Sequence, residues 1–284
     1  LAFLICAPLP LITHLGHPLR FYEILITPHG TSAMAIFGFI YLWYLLAVLL
    51  LEIWFDYRRD FVIWSGEKTG VMKKVYGFLT FGVKDISLKT VKWDEKLGYI
   101  ITVIGIPSAF LLHGYVGFIF GSIKANPWWS TVLIPVIFLF SAMVSGIALV
   151  MLLYMAVSFL RKVKIDMACL DTVGKFLFYV LILDFALESL DQIHRMYEAE
   201  ESFDIINLLV SGKLYLTLIV MQTSLGMIIP ISALGLVQVT KFNERIRKII
   251  YIVSGSLVLI GIFFMRWNIV IGGQLFSKSF LGFT

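Results

Sequence analysis

Long apolar stretches separated by short charged ones dominate the pattern of this chain. The stretches are free of charge or interrupted only by carboxylates, and they lie at 1–12, 30–51, 97–123, 125–160, 176–192, 214–240 and 249–265. Most of them approach or exceed the ~20 residues that an α-helix needs to cross a ~30 Å hydrocarbon layer. The pattern predicts an all-α fold, a polytopic integral membrane helical bundle with seven segments, the first of them incomplete.

The composition agrees with a lipid environment. The 284 residues are 60% hydrophobic and 14% charged, with a mean hydropathy of +0.92, whereas soluble domains carry roughly a quarter charged residues. The chain opens inside an apolar stretch without a methionine, so we expect part of the N-terminus to be missing from it. Cys6 and Cys169 are the only cysteines, too few by themselves for a disulfide framework or an iron–sulfur ligand set.

Basic residues predict the orientation. When alternate loops are assigned to the two sides, seventeen of the 23 Lys and Arg residues fall on one side. Because cytoplasmic loops accumulate Lys and Arg, this predicts a multi-pass protein of the cytoplasmic (inner) membrane. The connection at about 56–96 is then a cytoplasmic loop. Its mixed aromatic and basic residues leave two interpretations open, an amphipathic element on the inner membrane surface or an ordinary solvated loop.

One polar stripe runs along the predicted helix around 176–192. Helical spacing places five residues on one face: Asp184, Glu188, Asp191, Gln192 and Arg195. A carboxylate ~14 Å into the layer, the depth that helical rise gives Asp184, is costly unless it is protonated, paired or hydrated. We therefore predict proton transfer by Asp184, Glu188 and Asp191. The alternative is that Asp191 and Arg195 are interfacial and that Asp184 only joins helices by hydrogen bonding.

A second group of candidates lies at 113–117, ~24 Å from the inner end of its segment. His113 and Tyr115 have the chemistry to hydrogen-bond the two carbonyls of a quinone and to exchange its protons. The alternative is a core histidine that serves packing, and close helix packing is the favoured role of Gly117. Arg266, at the end of the last segment, either neutralises the carboxylate stripe or extends to the lipid headgroups.

Several cofactor classes lack their signatures. The histidines other than His113 lie at segment ends or in loops, which disfavours a pair of axial haem ligands. There is no Cys-x-x-Cys-His run and no phosphate-binding glycine loop. We predict that this chain holds no haem, metal or nucleotide, that nucleic acid is not a partner, and that the lipid bilayer is one.

Short motifs in a fixed order resemble a known family. LGHPLR at 15–20 and PHGTSAM at 28–34 resemble the loop after an early span in the NrfD/polysulfide reductase membrane-subunit (PsrC-like) family. The resemblance continues through LHGYVG at 112–117, Pro127-Trp128 and the small residues at 141–146. RWNIVIGGQ at 266–274 looks most like the DsrP branch of that family, which is found in sulfur-metabolising anaerobes.

The resemblance implies both an architecture and a site. It implies tandem four-helix bundles, here 1–160 and 161–284, incomplete at both ends. It implies a quinone site near the outer face, with menaquinone as the bound substrate. It also implies an extracytoplasmic iron–sulfur (ferredoxin-like) partner within a respiratory membrane complex of several subunits. The quinone-binding candidates are His113, Tyr115, Gly117, His17, Arg20 and Trp128, with Arg266 as charge partner of the carboxylates.

These expectations combine into one function. The chain is predicted to be the quinone-binding membrane subunit of a respiratory oxidoreductase complex, and not a catalyst by itself. It would exchange electrons between menaquinol or menaquinone and the iron–sulfur subunit, with proton transfer through the carboxylates. Two alternatives remain open. A membrane transporter or channel would also use intramembrane carboxylates, and a purely structural anchor would use them only to join helices.

Overall fold

Helices make up the regular structure of the part of the chain that the computed structural model describes. That part consists of residues 2–7, 9, 17–26, 29–198 and 203–275, and no strand occurs within it. The shorter helical pieces are Ala2–Cys6, a 3-10 turn at Pro18–Arg20, Glu23–Ile26 and Phe203–Leu208. The predicted segment 1–12 lies partly outside the described residues.

The longer helices follow in chain order. They are α1 (Ala33–Glu67), α2 (Gly70–Leu79), α3 (Leu88–Gly121), α4 (Ile134–Leu160), α5 (Met167–Glu198), α6 (Tyr215–Val239) and α7 (Glu244–Gln274). Within the described ranges, five of them, α1, α3, α4, α6 and α7, are long and apolar enough to cross a membrane. This confirms the prediction of an all-α, polytopic membrane protein. α5 is 32 residues long and contains the predicted segment 176–192. It differs from these five because three carboxylates, Asp184, Glu188 and Asp191, interrupt that segment.

The chain divides into two compact units, Leu1–Tyr115 and Val116–Thr284. This division follows the density of contacts within the chain. The division at 160/161 into two four-helix bundles was predicted from the family resemblance. It concerns the arrangement of helices in bundles and stays a prediction.

In the first unit, α1 and α2 form a helical hairpin. The Ser32 hydroxyl caps the start of α1 by accepting a hydrogen bond from the Ala35 amide at 3.4 Å. α2 runs back along α1, because Tyr76 packs against Trp64 with ring centroids 5.3 Å apart and the Trp54 indole donates to the Leu79 carbonyl at 2.7 Å. The connection predicted as a loop at 56–96 is therefore largely helical.

A buried arginine fixes the return of this hairpin. Arg58 is 1% exposed, and its guanidinium donates to one Asp94 carboxylate oxygen at 2.8 and 2.5 Å. The same side chain also donates to the carbonyls of Asp85 at 3.0 Å and Val83 at 3.4 Å. The sequence had placed Arg58 in a cytoplasmic loop, and the helical extension of α1 brings it into the interior instead.

The second unit packs α4, α5, α6 and α7 around one apolar core. Residues from all four helices form it, among them Val144, Met151, Leu177, Leu181, Met227, Tyr251 and Val258. α6 and α7 approach each other at glycines, since a Cβ on Gly226 would lie 2.3 Å from the Gly261 Cα. Small residues permit such close helix packing in membranes.

Two helix ends in this unit differ from the predicted ones. α4 begins at Ile134 rather than at about 125, and α7 continues past Arg266 to Gln274. The connection before α4 is uncharged from residue 125 onward, and its side chains bind the end of α7. Trp128 Nε1 donates to the Asn268 carbonyl at 3.0 Å, and Trp129 Nε1 donates to the Ile269 carbonyl at 2.6 Å. Hydropathy alone does not distinguish such a capping segment from a span.

Candidate functional site

The predicted polar stripe of α5 lies in the interior of the second unit. Its charged members are all buried there, with exposed fractions of 0% for Asp184, 8% for Glu188, 2% for Asp191 and 4% for Arg195. The 3.6-residue period of the helix puts them on one face, and that face meets α6, α7 and the connection before α4. Their partners divide them into two kinds.

Asp191 is fully compensated. Arg195, one turn further along α5, donates to one carboxylate oxygen of Asp191 at 2.8 and 2.5 Å. The Thr131 hydroxyl donates to the other oxygen at 2.7 Å. Arg195 also donates to the Trp128 carbonyl and lies 4.9 Å from the centre of the indole ring. Buried ion pairs of this quality hold an arrangement in place, because removal of either partner leaves an uncompensated charge.

Glu188 is only half compensated. Gln222 on α6 donates from Nε2 to one Glu188 oxygen at 2.7 Å, and Asn268 on α7 donates to the Gln222 carbonyl oxygen at 2.7 Å. The other Glu188 oxygen and Asn268 Oδ1 are buried without a hydrogen-bond partner among the described residues. A chain of amides from two other helices thus ends at one oxygen of this carboxyl group.

Asp184 has the least compensation. Both of its carboxyl oxygens are buried and lack a hydrogen-bond partner in the described part of the chain. The positive charge of Arg266 on α7 acts on it electrostatically without forming a direct ion pair. A buried polar group without a partner costs free energy, and a charged one costs far more. Such a group needs an explanation in function or in a ligand.

A small polar cavity adjoins the stripe. The volume within which the centre of a water molecule fits is about 20 Å³. Roughly 10–15 Å³, measured in the same way, is enough for one water molecule. Its polar lining consists of Glu188, Asp191, Gln192, Arg195, Gln222 and Asn268, and its apolar lining includes Trp128 and Met265. The cavity therefore has room for about one water molecule between these polar side chains.

Arg266 lies inside α7 rather than at its end. Its guanidinium donates to the Ser141 hydroxyl at 3.1 Å and lies 4.6 Å from the centre of the Phe138 ring on α4. The helix continues for eight residues beyond it, ~12 Å at the rise of an α-helix. Arg266 thus has the position that the charge-partner hypothesis requires, facing the neighbouring helices and within electrostatic reach of Asp184.

Four of the predicted quinone-binding residues belong to the first unit. His113 and Tyr115 are half-buried on α3. The His113 Nδ1 is 3.0 Å from the Ala109 carbonyl, and the Tyr115 hydroxyl donates to the Ala33 carbonyl at the start of α1 at 3.1 Å. His17 and Arg20 are exposed at the short 3-10 turn, where Arg20 lies 3.7 Å from Glu23.

The other two belong to the second unit, where each has a packing role. A Cβ on Gly117 would lie 2.6 Å from the Pro135 Cα, so only glycine allows α3 and the start of α4 to approach this closely. Trp128 is 1% exposed, and its indole and carbonyl bind α7 and Arg195. The structure thus brings Trp128 and Arg266 to the carboxylate stripe.

Two further residues of this site can be recognised in the sequence by their polar side chains. Gln222 and Asn268 are amides inside apolar stretches, and polar residues in membrane helices are candidates for function by default. Thr131 lies within the predicted stretch 125–160, where a single uncharged hydroxyl does not stand out as a partner of Asp191. Within the described ranges, no group of three or more His, Cys, Asp or Glu side chains is arranged to hold a metal ion.

Comparison with known proteins gives the site its context. The sequence model of the family described as "Polysulphide reductase, NrfD" matches residues 1–278. A selenate reductase subunit of Mesobacillus selenatarsenatis is 28% identical over 268 residues, 90% of this chain and 59% of that protein. A putative dimethyl sulfoxide reductase membrane subunit of Halobacterium salinarum is 25% identical over 184 residues, 62% of this chain and 38% of that protein.

The chain thus spans 59% and 38% of the lengths of these two relatives. Neither name refers to the DsrP branch, which stays a prediction. The family model covers almost the whole chain, and the membrane-spanning helices agree with the name of the second relative, a membrane subunit. This multi-pass membrane protein belongs to the polysulphide reductase, NrfD family.

Proposed function

We propose that this chain is the quinone-handling membrane subunit of a respiratory reductase complex. In this proposal it binds menaquinol or menaquinone and exchanges electrons with an extracytoplasmic iron–sulfur subunit. Protons move through carboxyl groups of α5. Family membership and the names of the two relatives, both reductase subunits, support the assignment to a reductase complex.

The uncompensated carboxyl groups of α5 are the observation that carries the proposal. Asp184 and Glu188 are buried on α5, and three of their four oxygens have no hydrogen-bond partner among the described residues. A carboxyl group that only joins helices has no such unpaired oxygens, because hydrogen bonds to its neighbours satisfy it. A group that takes up and releases protons needs acceptor oxygens facing a hydrated space. The polar cavity beside Glu188 supplies that space.

Spacing along α5 gives these groups an order. Asp184 and Glu188 are one turn apart, ~6 Å along the axis, and Asp191 follows ~4.5 Å further on. In the proposal, Asp184 and Glu188 carry protons, and the Gln222–Asn268 pair orients Glu188. Asp191 was predicted as a third carrier. Its full set of partners favours a positioning role, in which it holds Arg195 and Trp128 around the cavity.

His113 and Tyr115 are proposed to contact the quinone headgroup. The carbonyl of Ala109 only accepts hydrogen bonds, so the contact at 3.0 Å places the proton of a neutral His113 ring on Nδ1. Nε2 then carries the lone pair, which is the form that accepts a proton from a quinol hydroxyl. A bound quinol supplies two electrons and two protons, and the protein supplies binding, orientation and proton acceptors.

The proposal also includes the other predicted quinone-binding residues and the membrane in which the chain lies. His17, Arg20 and Trp128 stay candidate contacts of the headgroup or its partner, as the family resemblance implies, and the buried Gly117 permits close packing of α3 against the start of α4. The excess of Lys and Arg on one side favours the cytoplasmic membrane, with the iron–sulfur partner on the opposite side.

Quinol turnover and bound-quinone content, measured on the purified complex, test the headgroup site. His113→Gln keeps a hydrogen-bonding side chain without a titrating ring, and Tyr115→Phe removes only the hydroxyl. We expect turnover to fall roughly ten- to a hundredfold for His113→Gln, as expected for a lost proton acceptor in a desolvated site. Tyr99→Phe is the matched control, because it removes a phenol from the exposed, opposite end of α3.

The quinone extracted from the wild-type complex is identified by mass, and menaquinone is expected. Normal turnover in a well-assembled His113→Gln complex would exclude this headgroup site. Complexes that contain no quinone, and whose assembly is lost when the carboxylates are substituted, would show that the stripe only joins helices and that the chain is a structural anchor.

A further inference from the structure

The foot of the α1–α2 hairpin presents aromatic rings at one membrane boundary. The hairpin runs from Trp64 and Tyr76 near its distal end to Trp54 and Leu79 at its foot. Beyond Leu79 the chain turns through 80–82 before it continues toward α3. The turn is therefore the part of the returning segment that lies beside Trp54.

The position of Trp54 along α1 gives the level of this turn. The apolar stretch of α1 ends at Leu51, and Glu52 is the first charged residue after it. Trp54 follows two residues later, ~3 Å along the axis. Thr102, inside the apolar stretch of α3, donates to a Glu52 carboxylate oxygen at 2.6 Å, so both helices leave the apolar layer at the same level. The turn beside Trp54 thus lies at the edge of the hydrocarbon.

The rings at this turn point away from the protein. Phe78 is 73% exposed and Phe81 is 65% exposed, yet the two rings contact each other with centroids 5.8 Å apart. Phe81 also contacts the Trp54 ring at 5.7 Å. Aromatic side chains are enriched at membrane–water boundaries, where a ring sits at the level of the headgroups.

The backbone of the turn is strained at Phe81, whose ring is exposed. Phe81 has a φ of 47° and Gly82 a φ of 80°. A left-handed conformation is natural for glycine and unfavourable for a bulky side chain. Such strain persists where something else compensates it. Transfer of the exposed Phe81 ring from water into the lipid boundary provides this compensation.

The charges around the turn match an anionic surface. Lys84 follows the turn and is exposed, and Lys89 and Lys92 are exposed at the start of α3, which follows it. The nearby Asp85 is occupied by hydrogen bonds from Thr90 and Ser87. Basic residues beside aromatic rings that insert into the membrane are typical of segments that bind anionic phospholipid headgroups.

We propose that residues 78–84 form a membrane-interface anchor. Phe78 and Phe81 insert their rings at the boundary between headgroups and acyl chains, and Lys84 binds the phosphate of an anionic phospholipid. The anchor holds the segment that follows α2 against the bilayer. Arg58 of α1 binds the same segment from the protein interior, through the carbonyls of Val83 and Asp85.

Depth-dependent quenching on the full chain tests the insertion. With Cys6→Ser and Cys169→Ser as background, an environment-sensitive fluorophore is attached through Phe78→Cys or, as control, through Glu67→Cys. Glu67 is exposed at the distal end of the hairpin, thirteen residues or ~20 Å from the level of Trp54. In nanodiscs of equal parts phosphatidylcholine and phosphatidylglycerol, a lipid-borne nitroxide should quench position 78 at least about threefold more strongly than position 67, because interfacial side chains sit ~5–10 Å deep.

Phe81→Gly in the Phe78→Cys background separates insertion from backbone effects. Glycine adopts the left-handed conformation without strain, so the turn keeps its shape while it loses a ring. We expect the lipid-borne quenching at position 78 to fall about twofold, because the variant lacks the one inserted phenyl ring that the Phe78→Cys background retains. Unchanged quenching would mean that Phe81 does not contribute to the anchor and would contradict the proposal.

Retention of anionic lipid tests the role of Lys84. The purified chain is compared with Lys84→Gln, and with Lys68→Gln as control, for the ratio of phosphatidylglycerol to phosphatidylcholine that co-purifies from the same mixture. We expect about fivefold weaker retention for Lys84→Gln, the effect of one surface charge near a membrane, and little change for Lys68→Gln. Equal retention in both variants overturns the lysine assignment.

Two quenching results would overturn the anchor itself. Strong quenching of position 78 by aqueous iodide in nanodiscs would describe a solvated turn. Protection from both quenchers in the assembled complex, but not in the isolated chain, would show that another protein subunit covers the rings.

Discussion

Arg58 in the first unit and Asp184 in the second are both buried charged residues, and they differ in their partners. Arg58 is 1% exposed and Asp184 is 0% exposed. Arg58 has a carboxylate and two carbonyls for its donors, whereas neither oxygen of Asp184 has a hydrogen-bond partner in the described part of the chain. A buried charge with all its partners holds a fold together, whereas one without partners lowers stability and has to be explained by function.

The same contrast recurs within α5. Asp191 and Asp184 are two turns apart on one face, and the sequence alone assigned both to proton transfer. Asp191 has Arg195 and Thr131, while Asp184 has only the charge of Arg266 acting on it. Substitutions that remove one group from each class therefore have opposite effects on stability and on turnover.

The largest effect is expected for Arg58→Ala. It leaves Asp94 without its cation and releases the carbonyls of Val83 and Asp85, so it lowers the free energy of unfolding by roughly 3 kcal/mol. Thermal unfolding of the purified chain should shift down by about 5–10 °C. Arg59→Ala, which removes an exposed guanidinium at the next position, is the control and should shift it little. An equal shift in both variants would mean that burial and partners do not distinguish Arg58.

The next effect is expected for Asp184→Asn in turnover. Loss of a proton-carrying group should slow quinol turnover about a hundredfold, while bound quinone stays the same. The unfolding temperature should stay equal or rise, because an amide is less costly to bury than an uncompensated carboxylate.

Asp171→Asn provides the matched control on the same helix. Asp171 accepts hydrogen bonds from Arg247 and, at 2.8 Å, from Tyr251. Its substitution should lower the unfolding temperature and leave turnover within about twofold, since it weakens a compensated pair away from the cavity. If Asp184→Asn instead destabilises the chain and preserves turnover, Asp184 is structural.

A smaller effect is expected for Thr131→Val. The change removes one hydrogen bond to Asp191 and should cost about 1 kcal/mol of stability, measured as a small drop in unfolding temperature. Turnover should stay within about twofold of wild type. A loss of turnover comparable to that of Asp184→Asn would show that Asp191 carries protons after all, and the distinction between the two carboxyl groups would fail.

The smallest effect concerns an exposed charge. Hydrogen bonds from Thr90, and then from Ser87, hold the pKa of the Asp85 carboxyl below its usual range. A lowered pKa in the folded state means that this group contributes stability above the pKa of the unfolded chain. The contribution is lost as the pH falls through the lower, folded-state value. Amide exchange at 87–90 should therefore rise as the pH falls below ~4, after correction for intrinsic exchange. Asp85→Asn should abolish this pH dependence, and an unchanged dependence would assign it to another group.

Local features of the sequence determined the class of protein and the polar stripe. Apolar stretches of sufficient length predict membrane helices, and the helical period alone places Asp184, Glu188 and Asp191 on one face. Helix ends were less predictable. The connection before α4 carries no charge from residue 125 onward and was therefore included in a predicted span, whereas its tryptophans bind carbonyls of α7.

Only the tertiary structure decided which charges have partners. The partner of Arg58 lies 36 residues away, that of Glu188 34 residues away and the hydroxyl that binds Asp191 60 residues away. A stripe on one helix specifies which groups face inward and says nothing about the helices that meet them. Because the cost of a buried charge depends on those distant partners, packing determined that Asp191 has a full set of partners and that the two oxygens of Asp184 have none among the described residues.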